Sequence, residues 1–143
     1  MDYEEIRDIV LNELTPIEKK CLLTVLHHEV MVNLVEENRR LCMERLHEIL
    51  PEAARIWGVS GADIIAKNRR RAAVDCRNAI VLRMYREDFS IRSISEALGL
   101  SRSTIMYAID EVAGAIASRN PSWSDYREKW NELNRNLDQR YER

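Results

Sequence analysis

The chain has 143 residues, with Lys+Arg 22 against Asp+Glu 24, a formal net charge of −2, 45% hydrophobic and 32% charged residues. That balance excludes a disordered chain and a membrane-embedded one, and the length suits one domain whose core folds without staples. Four Gly, three Pro and one Phe are too few for the turns and aromatic strands of a β fold, so the expected class is all-α.

In chain order, residues 2–14 carry Ile6, Ile9, Val10 and Leu14 at helical spacing. Thr15-Pro16-Ile17-Glu18 then combines an N-cap, a first-position Pro and a Glu three after the cap, which predicts a helix start. That helix is expected to reach Leu46, with a break near Glu36–Arg39. From Leu22 to Val35 its apolar residues lie on more than one face, so it is expected to be packed on two sides, by other helices or by a second chain. Pro51 is expected to open a short helix, Glu52 to Trp57, stopped by Gly58. Ser60-Gly61-Ala62-Asp63 caps a single turn holding Ile64 and Ile65.

The basic run Lys67-Asn68-Arg69-Arg70-Arg71 lacks apolar periodicity and reads as a loop. Val74 to Glu87 reads as a helix. Ser90 caps Ile91 to Leu98, and Gly99 ends that helix as a residue tolerant of positive φ. Leu100 plugs the turn, and Ser101 caps a helix from Arg102 to about Ser118. Asn120-Pro121 breaks the chain. Ser122-x-x-Asp125 caps a last helix whose apolar stripe is Trp123, Tyr126, Trp130, Leu133 and Leu137.

Several function classes are set aside. Neither GxxxxGK[ST] nor GxGxxG occurs, which excludes a nucleotide-hydrolysing motor of known type. Cys21, Cys42 and Cys76 are odd in number and form no C-x-x-C, so reduced thiols in a cytoplasmic protein are expected rather than disulfides or zinc. The acidic start is wrong for a signal peptide. The longest apolar stretch, Cys21 to Val35, is interrupted by His27, His28, Glu29 and Asn33 and cannot span a bilayer. No nucleophile–base–acid set has placed partners, so no enzymatic activity, cofactor or metal is expected.

Charge is segregated. From Arg55 to Tyr107 there are ten basic and five acidic residues, a net +5; the remaining 12 basic and 19 acidic residues give −7. A basic middle between acidic flanks points to one polyanion-binding face. Within it, Ser90 to Val112 reads as helix, tight turn with Gly, helix, the helix-turn-helix signature. Ser101, Arg102, Ser103 and Thr104 would occupy the first turn of the second helix, the part that a recognition helix presents to base edges. Short hydroxyls there bond phosphates or bases, and Arg102 can reach guanine O6 and N7 together.

Three blocks carry a resemblance over about Ile49 to Val112: Ala53-Ala54-Arg55-Ile56-Trp57-Gly58-Val59-Ser60-Gly61-Ala62-Asp63-Ile64-Ile65; Lys67-Asn68-Arg69-Arg70-Arg71 followed by Val74, Arg77 and Asn78; and Ser93-Ile94-Ser95-Glu96-Ala97-Leu98-Gly99 followed by Ser101-Arg102-Ser103-Thr104-Ile105-Met106-Tyr107-Ala108. This segment resembles the C-terminal DNA-binding domain of the bacterial chromosomal replication initiator (DnaA) family. The resemblance implies a helical bundle with a Trp-repressor-like helix-turn-helix core, and reading of duplex DNA in two adjacent grooves. Ser101, Arg102, Ser103 and Thr104 would enter the major groove. Arg69 would place a guanidinium in the minor groove, where narrow A·T-rich tracts attract Arg. Arg77, with Lys67 and Arg71, would hold phosphates, Arg70 would be a further DNA-binding residue of the basic run, and Ile91 and Arg92 would touch DNA from the first motif helix.

The family's Asp-His pair is Ser101-Arg102 here, its Pro positions are Arg92 and Cys76, and its ATPase module is absent from these residues. Base preference therefore does not carry over, and the reading is a stand-alone regulator or accessory factor in the cytoplasm, at the nucleoid. Three segments are expected: N-terminal helices over 1–48 that pack or dimerise, a DNA-binding domain over 49–118, and an amphipathic C-terminal helix over 119–143. The rival readings are a helical scaffold whose DNA face has decayed, and a helix-turn-helix transcription regulator of unrelated type.

Overall fold

The computed structural model describes residues 1–139. It is all-α: α1 (Tyr3–Asn12), α2 (Pro16–Trp57), α3 (Gly61–Ile65), α4 (Arg71–Arg86), α5 (Ile91–Leu98), α6 (Arg102–Ala117), a single 3₁₀ turn (Pro121–Trp123) and α7 (Ser124–Gln139). No helix among the described residues is long and apolar enough to cross a membrane.

The chain forms two compact units, Met1–Glu37 and the described remainder from Asn38 onward. The expected segments fall differently: Cys42, Arg45 and Leu46, placed among N-terminal helices by the sequence, are buried in the second unit, and so are Tyr126, Trp130, Leu133 and Leu137 of the C-terminal helix.

In the first unit, the helix start at Thr15 forms as expected. The Glu18 N–H donates to Thr15 Oγ1 at 3.2 Å, and that hydroxyl donates to Glu18 Oε1 at 3.0 Å. The Lys19 ammonium donates to the Leu11 carbonyl at 3.2 Å, tying α2 to α1. No residue of this unit is buried.

α2 corrects two expectations. It has no break at Glu36–Arg39, and Pro51 lies inside it rather than opening a new helix. A Pro removes one backbone donor and usually breaks a helix. Here Leu46 and Ile49 before it, and Ala53, Ala54 and Trp57 after it, are all buried in one core. That shared apolar face holds the helical register through the missing bond.

The second unit is built around α4, which packs chiefly on α6 and also meets α3, α5 and α7. Ala73, Cys76, Ala79, Ile80, Val81, Leu82 and Met84 are buried on it. α4 begins at Arg71, three residues earlier than expected, so Arg71 is helical. Asn68 explains the early start: its Oδ1 accepts from the Arg70 N–H at 2.9 Å, which turns the chain into the helix. At the other end, Glu87 accepts from Arg45 Nε and Nη2 at 2.6 and 3.0 Å and from Arg83 Nε at 2.5 Å. Arg83 also donates to Asn134 and Asp138, so one carboxylate network joins α2, α4 and α7.

The cap of the C-terminal helix also differs. Asn120, not Ser122, accepts from a backbone N–H, that of Ser122 at 3.0 Å, and Pro121 starts the 3₁₀ turn that feeds α7. The expected stripe packs inward: Trp130 is buried, and Tyr126 stands edge-on between Trp57 and Trp123 at 5.8 and 5.9 Å. Cys42 and Cys76 are buried, and burial pushes their thiols up to about 11 and about 12; Cys21 is exposed.

Candidate nucleic-acid interface

α5 and α6 are joined by Gly99 and Leu100. Gly99 adopts φ +66°, a left-handed conformation that disfavours a Cβ. The Leu100 N–H donates back to the Ser95 carbonyl at 3.1 Å, which closes the turn. Ile94 and Leu98 of α5 and Ile105, Ala108 and Val112 of α6 are buried together, so the opposite side of α6 faces outward.

That outward side starts with a hydroxyl cluster. Ser101 Oγ accepts from the Thr104 N–H at 3.2 Å and lies 2.7 Å from Thr104 Oγ1 and 3.2 Å from Ser103 Oγ. Ser101, Arg102, Ser103 and Thr104 are all exposed. Arg102 takes no ion-pair or hydrogen-bond partner among the described residues. Helical periodicity puts Tyr107 on the same outward side; it is 66% exposed, and its neighbour Met106 is exposed too. Neither was anticipated as a site residue. The available signal was the i, i+3 spacing of Tyr107 from Thr104, which sets it away from Ile105 and Ala108.

The basic loop is held from below by Arg77. Its guanidinium is buried and donates from Nε to the Ile64 carbonyl at 3.0 Å and from Nη2 to the Asn68 and Asp63 carbonyls at 3.1 and 3.4 Å. Burial pulls this guanidinium down from its ordinary pKa. Arg77, expected on a phosphate, is thus a clamp that fixes the path of residues 63–68. Within that path Lys67 adopts φ +60°, a left-handed conformation uncommon away from glycine.

Lys67 links the loop to the helix pair: a Cβ on Gly99 would lie 3.8 Å from its Cε and 3.9 Å from its Nζ. Arg69 is exposed and has no partner among the described residues. Arg70 pairs with Asp63 at 2.7 Å, and Arg71 with Asp75 at 3.3 Å, both while largely exposed. Between α4 and α6 lies a depression of about 350 Å³ lined by Arg71, Arg77, Asn78, Thr104 and Tyr107, with Asp75 and Glu111 as its acidic members. The start of α4 and the outer face of α6 therefore share one surface.

At the start of α5, Ser90 Oγ accepts from the Ser93 N–H at 3.0 Å. Ile91 is half-buried against the core. Arg92 is exposed and pairs with Glu96 at 3.3 Å. Glu96 also holds Arg39 of α2 at 3.1 Å. The hydrogen bond from Arg92, then the field and hydrogen bond of Arg39, keep the Glu96 carboxyl below the usual carboxylate range.

The arrangement thus brings Lys67 beside the α5–α6 turn, puts Arg71 and Thr104 on the lining of one depression, leaves Arg69 and Arg102 without partners among the described residues, and ties the buried Arg77 guanidinium to backbone carbonyls. No family model, curated protein or solved structure matches the chain.

Proposed function

We propose that this chain is a sequence-selective binder of double-stranded DNA, without enzymatic activity, that uses α6 in the major groove and the basic loop before α4, through Arg69, in the adjacent minor groove. The reading follows the resemblance to the replication initiator DNA-binding domain and assigns a regulator or accessory role at the nucleoid. One observation carries it: the basic loop and the helix pair meet on one surface, with Lys67 beside the Gly99 turn and Arg71 lining one depression with Thr104. Arg69 and Arg102, the two cations expected in the two grooves, are exposed and uncommitted to carboxylates among the described residues. A scaffold gains nothing from two such cations.

Each side chain has a role in this reading. Arg102 reads guanine in the major groove, with Ser103 and Thr104 bonding nearby phosphate or base edges. The N–H groups at the start of α6 favour phosphate at that end. Arg69 enters the minor groove. Lys67, Arg70 and Arg71 neutralise backbone charge; Arg70 and Arg71 exchange a surface carboxylate for phosphate, and surface pairs of this kind are weak. Tyr107 extends the contact surface of α6 by one turn.

The test is selection of bound duplexes from a random pool, followed by mobility shifts on the selected site at two salt concentrations. A defined motif whose binding weakens in Arg102→Ala and Arg69→Ala supports the reading. Absence of any enriched motif, or full binding by both variants, overturns it.

A further inference from the structure

The first unit leaves its apolar surface uncovered. Leu23, Val25, Val30 and Leu34 are 68%, 54%, 55% and 52% exposed, and Leu26, Met31, Val32 and Val35 are exposed as well. Spacing along α2 spreads these eight side chains around the helix rather than along one stripe. A helix with apolar residues on more than one side needs cover on more than one side. Together they expose on the order of 700 Å² per chain, spread around the helix rather than in one contiguous patch, against the roughly 800 Å² that each partner buries in a standard interface.

We infer that the covering partner is a second copy of this chain, with the two α2 helices paired antiparallel over residues 17–37 and the two-fold axis near His28. The order of charges selects that partner and that direction. Lys19-Lys20 precede His28 by nine and eight residues, and Glu36-Glu37 follow it by eight and nine. Antiparallel pairing about His28 brings each basic end to the level of the other copy's acidic end; parallel pairing stacks like on like. The same symmetry brings Leu22 level with Leu34, Val25 with Met31, Leu26 with Val30, and His27 with Glu29 of the other copy. A two-fold interface is self-complementary, and this segment has the mirrored order such an interface needs. Each copy also contributes α1, on which Ile6 and Leu11 are exposed. Four helices then give each α2 neighbours on more than one side.

The pairing does not depend on DNA binding, and its test contains no DNA. Sedimentation equilibrium of the full chain across the micromolar range is expected to show a dimer. The variant L26D/V30D is expected to be monomeric with unchanged tryptophan fluorescence, because Trp57, Trp123 and Trp130 all lie in the second unit and Leu26 and Val30 are exposed in the single chain. Lys20→Glu and Glu36→Lys are each expected to weaken the dimer by roughly tenfold, and K20E/E36K to restore it to within about threefold. The charge variants keep the proposal open to refutation even where L26D/V30D misfolds. A monomer throughout the range, a dimer indifferent to L26D/V30D, or a dimer that neither single charge reversal weakens would each overturn it, the last by indicating parallel pairing or another surface. Should both this pairing and the DNA reading hold, the selected motif is an inverted repeat.

Discussion

Arg77 of α4 donates its Nε–H to the Ile64 carbonyl of α3 at 3.0 Å, and the same guanidinium reaches the Asn68 carbonyl at 3.1 Å. A cation from the most basic stretch of the chain is therefore a structural cross-brace. Arg77→Ala leaves backbone carbonyls without their donor and is expected to lower stability by about 2–3 kcal/mol, read by urea denaturation. DNA affinity should fall equally for selected and random duplexes, since the loop loses its path rather than a base contact. A stable variant with unaltered affinity would show that the brace is dispensable.

Arg69 and Arg102 should behave differently from Arg77 and from each other. Arg102→Ala is expected to lose about 1–3 kcal/mol on the selected site and to relax preference at one or two positions. Arg69→Ala should weaken binding where the flanking minor groove is A·T-rich. With about five or six phosphates neutralised, the slope of log K against log salt is expected near −5, and Lys67→Ala should reduce it by about 1. Mobility shifts over a salt series measure all three.

Two glycines make opposite predictions. Gly99 sits at φ +66°, so Gly99→Ala must place a Cβ in a left-handed conformation, at an expected cost of about 1 kcal/mol. The nearest neighbour, Lys67 Cε, would be 3.8 Å away, so the penalty is conformational rather than steric. Gly114 lies inside α6 with nothing within 4 Å of an added Cβ. Gly114→Ala should stabilise by about 0.5–1 kcal/mol through helix propensity and a less flexible unfolded chain. Thermal melts should move in opposite directions.

Glu87 gives the fold an acid sensitivity. Burial pushes its carboxyl up, but the hydrogen bonds and charges of Arg45 and Arg83 outweigh burial and hold it below the usual carboxylate range. A depressed folded-state pKa stabilises the protein above the unfolded value, and that contribution is lost as pH falls through the folded one. Stability should therefore decline on acidification beneath the ordinary carboxylate range. Glu87→Gln should be less stable at neutral pH and show a flatter decline. An unchanged pH profile in this variant would assign the acid sensitivity elsewhere.

Much of the fold was legible because caps are local. Thr15, Ser60, Ser90 and Ser101 each bond a backbone N–H or side chain three residues on, and the sequence spacing alone announces that geometry. Pro51 misled because a breaker rule acts on one residue, whereas helix continuity there rests on burial from Leu46 through Trp57. The site was legible as a set of cations but not as a set of roles. A buried Arg that donates to carbonyls and an exposed Arg without a partner among the described residues look alike in sequence, so Arg77 could not be told from Arg69. The Arg70–Asp63 pair bridges the break between α3 and α4, where no continuous helix sets a spacing rule, so it too was hidden. Tyr107 went unassigned because spacing tells which residues face away from the core, not which of those touch a partner.

Glu96 serves two masters, Arg92 at 3.3 Å and Arg39 at 3.1 Å. In the proposed DNA complex, a phosphate that drew Arg92 away would leave a Glu96 carboxylate still paired with Arg39 of α2. The helix start can therefore trade its counterion without exposing a bare negative charge to an incoming polyanion, a repulsion that a simple two-member pair would suffer. Under the proposed function, Arg39 would thereby ease contact at Arg92 from a position on another helix.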